Sequence, residues 1–167
     1  ISTKSRHRTS SPSLCTRRLQ NTLYLETHQV APILHQMILV ILVPLTMLRS
    51  LNMHETPLAP HNVPLDAFSA LTSLRVSRWS PEDVATCPAF HKLRDLSLND
   101  YSDVVDLSLL SAASQLTSLS LESCDRLENL TPLSALVRLK KLVLLACEAL
   151  SCFTPLSLLA GLEDLDL

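Results

Sequence analysis

The feature that most constrains this chain is a pattern, Leu-x-x-Leu-x-Leu, that occurs six times. The six copies start at Leu48, Leu71, Leu93, Leu116, Leu139 and Leu162. Successive starts are 23, 22, 23, 23 and 23 residues apart, and sixteen of the eighteen defined positions are leucine, with Met53 and Val76 as the exceptions. If the 38 leucines of this 167-residue chain were placed at random, they would fill about four of those positions. The period therefore predicts a repeat protein.

Within each repeat, the last two leucines are separated by one residue, which is the period of a β-strand. The leucines then point to one side of a short strand and the intervening residues to the other. We expect parallel strands near residues 50–53, 73–76, 95–98, 118–121, 141–144 and 164–167. The pattern does not decide whether the last of these is paired.

A Thr-Pro-Leu step follows the strand in two repeats, at 131–133 and 154–156. The threonine hydroxyl is a good helix cap, and proline suits the first helical position because its missing N–H has no partner there. These steps predict short helical or 3₁₀ segments. Since strands stack only about 4.8 Å apart and such segments are wider, the array must curve with its strands on the inside.

This period and spacing resemble the leucine-rich repeat superfamily. The Pro-Leu step is similar to internalin-type repeats, whereas the 23-residue period and the cysteines at the turn, Cys124 and Cys147, resemble the cysteine-bearing repeats of bacterial and kinetoplastid proteins. The resemblance covers residues 48–167. It implies an α/β solenoid, a leucine-rich-repeat horseshoe with a concave parallel sheet and short helical or 3₁₀ segments on its convex side. It does not identify a partner.

The position after each strand, usually Asn or Cys in this superfamily, varies along the chain. It is occupied by Thr56, Trp79, Tyr101, Cys124 and Cys147. Because the aromatic residues cannot replace an asparagine amide, we expect the middle repeats to be locally irregular. The two cysteines would lie one strand spacing apart, close enough for a disulfide by distance alone. We favour reduced thiols packed as small hydrophobic groups.

Sequence composition divides the chain into three parts. Residues 1–20 are predicted to be a disordered basic tail, 21–47 a ragged N-terminal repeat or cap, and 48–167 a repeat array that ends within a repeat. We expect the sequence to be a piece of a longer protein. The apolar run at 37–48 falls short of the roughly 20 residues that span a bilayer. No membrane span is expected, and buried core is favoured over a membrane or targeting role.

Charge is distributed unevenly. The first eighteen residues carry five basic residues and no acidic one, which leaves nine basic and sixteen acidic residues, a net charge of −7, for residues 19–167. An acidic repeat body disfavours binding to phosphate backbones, so no nucleic acid partner is expected. The five cysteines form no Cys-x-x-Cys step and cannot all pair internally. This usage fits a reducing compartment and predicts a cytoplasmic location.

No catalytic or metal-binding motif is evident. The six histidines lack metal-ligand spacing, and a single glycine, Gly161, excludes Gly-x-Ser-x-Gly and phosphate-binding loops. Asp95, Asp100, Asp164 and Asp166 project from the expected concave face, where they are interpreted as solvated surface charge rather than a catalytic carboxylate pair. The sequence therefore predicts neither an enzyme nor a cofactor.

The concave strand positions are the candidates for binding another protein. The predicted partner-binding residues are Arg75, Arg78, Ser97, Asn99, Ser120, Glu122, Lys141, Val143 and Leu145. Arg75 and Arg78 form a basic patch, and Val143 and Leu145 expose apolar side chains where polar ones are expected. Alternatively, a further repeat covers Leu145.

A non-catalytic scaffold for protein–protein interaction is the favoured function. Two alternatives stay open. One is a recognition module of a larger enzyme or ubiquitin-ligase-type protein, and the other is an internalin-like surface adhesin.

Overall fold

A computed structural model describes residues 46–54, 60, 63–103 and 106–167, together with the backbone of two strands at 15–19 and 22–26. Within these residues, eight strands form one sheet in sequence order. The strands are β1 (Cys15–Leu19), β2 (Thr22–Glu26), β3 (Ser50–Met53), β4 (Ser73–Ser77), β5 (Asp95–Asn99), β6 (Ser118–Glu122), β7 (Lys141–Val143) and β8 (Asp164–Asp166).

All strand pairs from β2 to β8 are parallel, and β1 pairs with β2 as an antiparallel hairpin. The repeat period sets the register. Residues at the same repeat position pair from strand to strand, namely Ser50, Ser73, Asp95, Ser118, Lys141 and Asp164. The strands thus lie at the predicted places, and β8, whose pairing was undecided, pairs with β7.

The core consists of the repeat leucines and their equivalents. Leu119 and Leu142, the central leucines of β6 and β7, have no exposed surface, and Met53 and Val76 are buried at the two non-leucine positions. Burying one such aliphatic side chain contributes roughly 1.5–3 kcal/mol. On β8 at the edge of the sheet, Leu165 is exposed. The aliphatic core expected from the pattern is confirmed.

Short helical segments lie on the opposite side of the core from the sheet. The 3₁₀ helices span Leu65–Ala67, Phe90–Lys92, Ser108–Ala112, Thr131–Ala135 and Thr154–Leu158. The last three contact one another in sequence, so the helical layer stacks in the same order as the strands. This is the solenoid that the period predicts.

The predicted threonine cap is wrong. Thr131 is the first residue of its 3₁₀ helix, so its own backbone N–H needs an acceptor, and the side-chain Oδ1 of Asn129 accepts it at 2.8 Å. Asp106 Oδ1 accepts from the N–H of Ser108 in the same way, at 2.8 Å. The cap therefore lies two residues upstream of the expected position. Pro132 does lie in the first turn, where its missing N–H costs nothing.

The repeat that begins at Leu71 is irregular. Its turn residue Trp79 is buried, and an α-helix, α1 (Pro81–Ala85), follows at a place where the repeats from Leu116 and Leu139 have none. Ser80 caps α1 through a reciprocal pair of hydrogen bonds. Its Oγ accepts from the N–H of Asp83 at 3.1 Å, and the Asp83 carboxylate accepts from the N–H of Ser80 at 2.9 Å.

The N-terminal part of the sheet extends upstream of Leu48. Strand β1 lies inside residues 1–20, where we expected a tail, and β2 lies inside residues 21–47, the expected ragged repeat or cap. The three-part division itself stays a prediction, because residues 1–14 and most of the apolar run, 37–45, lie outside the described residues.

Candidate functional site on the concave face

A depression of about 250 Å³ lies on the strand face of the sheet, across β3 to β7. It is lined by His54, Arg75, Asp95, Leu96, Ser97, Asn99, Ser118, Ser120, Glu122, Lys141 and Val143. Strand alternation explains the arrangement, since residues between the core leucines must project to this side. Parallel register then brings side chains at equivalent positions next to each other, as Arg75, Ser97 and Ser120 are.

The floor of the depression is polar and buried. Ser97 and Asn99 are only 7% and 3% exposed, and the Ser97 hydroxyl donates to Asn99 Oδ1 at 2.9 Å. Among the described residues, none accepts a hydrogen bond from the amide nitrogen of Asn99. A buried amide donor without an acceptor is costly unless water or a ligand satisfies it. The sequence placed Ser97 and Asn99 on an open surface, and their burial reflects crowding on the inside of a curved sheet.

A similar pair lies one strand further along. The Ser120 hydroxyl donates to Glu122 Oε1 at 2.9 Å, and both residues are half-buried. Only one of the two carboxylate oxygens is used in this contact. Glu122 therefore presents a negatively charged hydrogen-bond acceptor beside the donor of Asn99.

Arg75 and Asp95 carry opposite charges on one side of the depression. Burial raises the pKa of the Asp95 carboxyl, while the positive charges of Arg75 and Arg94 partly oppose this rise. Arg75 is exposed and forms no ion pair with any residue in the described part of the chain. Its guanidinium group is thus available for a carboxylate or carbonyl oxygen.

Lys141 and Val143 lie on the other side, on β7. The Lys141 ammonium group is paired with the Asp164 carboxylate of β8, and this contact raises the lysine pKa. Val143 is nearly covered, with 9% of its surface exposed. On this side the depression is therefore lined by an ion pair, whose charges offset each other, and by the nearly covered side chain of Val143.

The structure brings together seven of the nine residues predicted from the sequence. Arg78 and Leu145 do not line the depression, because each comes after its strand has ended. Arg78 adopts a left-handed conformation, with φ of 62°, and is exposed. Leu145 is 36% exposed even though β8 lies beside its strand.

Four further residues line the depression that the predicted set omitted. One is Leu96, a core leucine of the repeat pattern, and the other three are polar. His54, Asp95 and Ser118 were placed on the concave face by strand alternation but were not chosen, because the choice favoured unusual charge and apolarity. The strand register could have identified two of them, Asp95 and Ser118. Asp95 pairs with Ser118, and Ser118 pairs with Lys141, so Asp95, Ser118 and Lys141 form a continuous row across β5, β6 and β7.

The two turn cysteines belong to the core, with Cys124 inside it and Cys147 packed against it. Both are free thiols, Cys124 is completely buried, and Cys147 is half-buried. The Cys124 thiol donates to the carbonyl oxygen of Glu122 at 3.8 Å, and the Cys147 thiol lies 3.5 Å from the carbonyl oxygen of Leu121. The interaction between the two neighbouring thiols lowers the pKa of Cys147 to about 7 and raises that of Cys124. Burial raises the pKa of both thiols, so it opposes the lowering at Cys147 and adds to the rise at Cys124.

Metal binding and membrane insertion were assessed over the described residues only. They contain no group of three or more His, Cys, Asp and Glu side chains suited to a metal ion. No described helix has both the length and the apolar character that a bilayer crossing demands.

Comparison with known proteins decides the fold. A crystal structure of internalin C2 from Listeria monocytogenes superposes with a TM-score of 0.57 at 23% sequence identity, over 74% of this chain and 53% of the internalin chain. The fold is a leucine-rich repeat solenoid. This solenoid spans about half the length of the internalin chain. No family model and no curated protein matches the sequence.

Proposed function

We propose that this solenoid is a non-catalytic binding module that holds a segment of another protein on its concave strand face. The observation that supports this most directly is the pair of unused donors in the depression. The buried amide of Asn99 has no acceptor, and the guanidinium of Arg75 has no ion-pair partner, among the described residues. A partner with carbonyl or carboxylate oxygens would satisfy both groups.

A protein segment suits the depression better than a small molecule does. At about 250 Å³ the depression is below the roughly 300–1,000 Å³ typical of small-molecule sites, and it is open to the strand face. It offers acceptors as well as donors, since the carboxylates of Asp95 and Glu122 line it together with Arg75 and Asn99. A polypeptide carries both N–H and C=O groups and can match this alternation.

An apolar contact beside the polar depression completes the proposed site. Val143 lines the depression, and Leu145 lies just beyond it with 36% of its surface exposed. Apolar anchors flanked by polar groups commonly carry most of the free energy of an interface. A nucleic acid would instead meet four carboxylates on this face, from Asp95, Glu122, Asp164 and Asp166.

The experiment uses peptides as the partner. Fifteen-residue random peptides displayed on phage are selected on the immobilised chain, and the selected peptides are titrated against variants by fluorescence anisotropy. Leu145→Glu is expected to weaken binding by about 2 kcal/mol or more, roughly 30-fold. Val137→Glu is the matched control because Val137 is also an exposed apolar residue, 69% exposed, but lies beyond the 3₁₀ helix Thr131–Ala135.

A second pair of variants examines the charged side. Arg75→Ala is expected to weaken binding, whereas Arg138→Ala, which removes an exposed arginine that donates to Gln115 away from the depression, is expected to leave it unchanged. If the peptides bind Leu145→Glu and Arg75→Ala as tightly as they bind the parent chain, the site lies on the convex side, in the basic residues 1–20 or elsewhere in the protein.

The two alternative settings predict different neighbouring sequence. A recognition module of a larger enzyme or ligase requires a catalytic domain in the same reading frame, and a surface adhesin requires an export signal and an anchor. Both alternatives would use the same strand face, so binding measurements on this chain do not distinguish them. The sequence of the full reading frame does. The cytoplasmic location expected from the cysteine usage stays a prediction.

A further inference from the structure

Cys124 and Cys147 occupy the same position in two successive repeats. Each directly follows a residue in the left-handed conformation, Ser123 with φ of 57° and Ala146 with φ of 53°. The preceding repeats carry Trp79 and Tyr101 at this position. Cys147 Sγ lies 3.5 Å from the carbonyl oxygen of Leu121, in the repeat that holds Cys124, and Cys124 Sγ lies 3.8 Å from the carbonyl oxygen of Glu122. The period of the fold therefore brings the two thiols next to each other.

The hydrogen-bonded ladder between the two repeats reaches the residues just before the two cysteines. The N–H of Ser123 donates to the carbonyl oxygen of Leu145 at 2.9 Å, so the ladder between the two repeats continues past the ends of β6 and β7. Cys124 follows Ser123 directly, and Cys147 lies two residues after Leu145. Neighbouring strands lie about 4.8 Å apart, and disulfides join residues whose Cα atoms are about 4.4–6.8 Å apart.

The two thiols differ in access and in acidity. Cys124 is completely buried and Cys147 is half-buried, so an oxidant reaches Cys147 first. The interaction with the neighbouring Cys124 side chain also lowers the pKa of Cys147, against the opposing effects of burial and of the Asp125 and Glu122 carboxylates. The thiolate is the form that reacts with oxidants.

We propose that Cys124 and Cys147 form a thiol oxidation site, which a hydroperoxide converts into a disulfide that joins two successive repeats. The Cys147 thiolate attacks a peroxide oxygen, so that an S–O bond forms, the O–O bond breaks, and hydroxide or alkoxide leaves and takes up a proton. The resulting sulfenic acid is then attacked by the Cys124 sulfur. The S–S bond forms, the S–O bond breaks, and the hydroxide leaves as water with the Cys124 proton. The peroxide is reduced by two electrons, and the two thiols together are oxidised by two.

The other described cysteines serve as internal controls. Cys87 is buried, and burial raises the pKa of its thiol, so it is expected to resist the oxidant. Cys152 is exposed, and its Sγ lies 3.5 Å from the Thr154 hydroxyl rather than beside a thiol. It is expected to oxidise without forming an internal disulfide.

The test is a peptide map of the Cys152→Ser chain, in which Cys147 is the only cysteine of its tryptic peptide. The chain is reduced, freed of reductant, treated with hydrogen peroxide, blocked with N-ethylmaleimide and digested without reduction. Peptides 95–126 and 142–167 are expected to appear as one linked species that dithiothreitol separates. The oxidised chain is expected to melt higher by about 5 °C or more, because the linkage restricts the unfolded chain.

Two variants test the order of the steps. Cys124→Ala leaves the sulfenic acid of Cys147 without a partner, and dimedone is expected to trap it there. In Cys147→Ala, the buried Cys124 is expected to stay reduced. The proposal is overturned if peptides 95–126 and 142–167 keep their maleimide labels while exposed cysteines oxidise, or if the linkage forms only after the chain is unfolded in urea.

Discussion

The backbone N–H of Ser123 donates to the carbonyl oxygen of Leu145 at 2.9 Å, although Ser123 has a φ of 57°. The same backbone contact recurs in the preceding repeats. The N–H of Asp100 donates to the carbonyl oxygen of Glu122 at 2.9 Å, and the N–H of Arg78 donates to the carbonyl oxygen of Asn99 at 2.8 Å. The left-handed residues therefore extend the ladder of the sheet into the turn. Arg78, Asp100, Ser123 and Ala146 all adopt this conformation, and none is glycine.

This arrangement predicts that glycine stabilises the turn. A non-glycine residue in the left-handed region costs roughly 1–2 kcal/mol, which exceeds the roughly 0.5–1 kcal/mol of backbone entropy that glycine loses on folding. Ala146→Gly is therefore expected to raise the free energy of unfolding by about 0.5–1 kcal/mol in a urea titration. Ala135→Gly, in the 3₁₀ helix Thr131–Ala135, is the matched control and is expected to lower it. Equal destabilisation by both would show that Ala146 is not strained.

The leucine pattern was sufficient to predict the strands, their register and the buried face. These follow from spacing alone, because leucines two apart on a strand share a side and a constant period aligns the strands. The helix caps could not be predicted as well. Asn129 and Asp106 act from outside the Thr-Pro-Leu step, and the reach of their side chains depends on how the chain enters the 3₁₀ helix.

The candidate site was only partly predictable, for a related reason. Alternation placed Asn99 and Glu122 on the concave face, but it contains no information on curvature, and so did not show that Asn99 is 3% exposed. Strand ends were a second difficulty. Arg78 and Leu145 continue the alternation in the sequence, whereas the chain turns before their side chains reach the depression.

The assignment of the two faces of the sheet can be tested directly on β6. Leu119→Ala is expected to lower the free energy of unfolding by about 2–5 kcal/mol, because it removes a buried side chain and leaves a cavity. Ser120→Ala changes the neighbouring residue, which is half-buried on the other face and donates to Glu122, so its effect is expected to be small. Chemical denaturation of both variants gives the comparison. A Ser120→Ala variant as unstable as Leu119→Ala would reverse the faces.

Asp95 is expected to make the stability depend on pH in a defined direction. Burial raises its pKa in the folded chain, so the folded state holds the proton more tightly than the unfolded state does. The free energy of unfolding should therefore fall as the pH rises from the ordinary value of 3.8 through the folded pKa, and stay at the lower value above it. Because the Asp95 carboxyl is only partly desolvated and keeps contact with solvent, the effect is modest.

The variant Asp95→Asn removes this titration while it keeps the shape of the side chain. It is expected to be more stable than the parent chain at neutral pH and equal to it at about pH 3, where the parent carboxyl is protonated in both states. Urea titrations at the two pH values measure the difference. If the parent chain is the more stable one at neutral pH, attraction to Arg75 and Arg94 outweighs burial.

The last prediction concerns the acidity of Cys147, which depends mainly on one neighbour. The interaction with the neighbouring Cys124 side chain favours the Cys147 thiolate and lowers the pKa of Cys147 to about 7. In the Cys152→Ser chain, the rate of iodoacetamide alkylation in peptide 142–167 should therefore rise with pH around a midpoint near 7. Mass spectrometry of that peptide follows the reaction.

Removing the donor should shift this midpoint upward. In Cys124→Ala, burial and the carboxylates of Asp125 and Glu122 still oppose the thiolate, while only the backbone N–H of residue 124 still stabilises it. The midpoint is then expected to move toward or beyond the ordinary thiol value of about 8.5. Cys124→Ser keeps a hydroxyl donor at the same place and is expected to fall between the two. A midpoint that stays near 7 in Cys124→Ala would show that the backbone alone determines the acidity of Cys147, and that its contact with the Cys124 thiol does not.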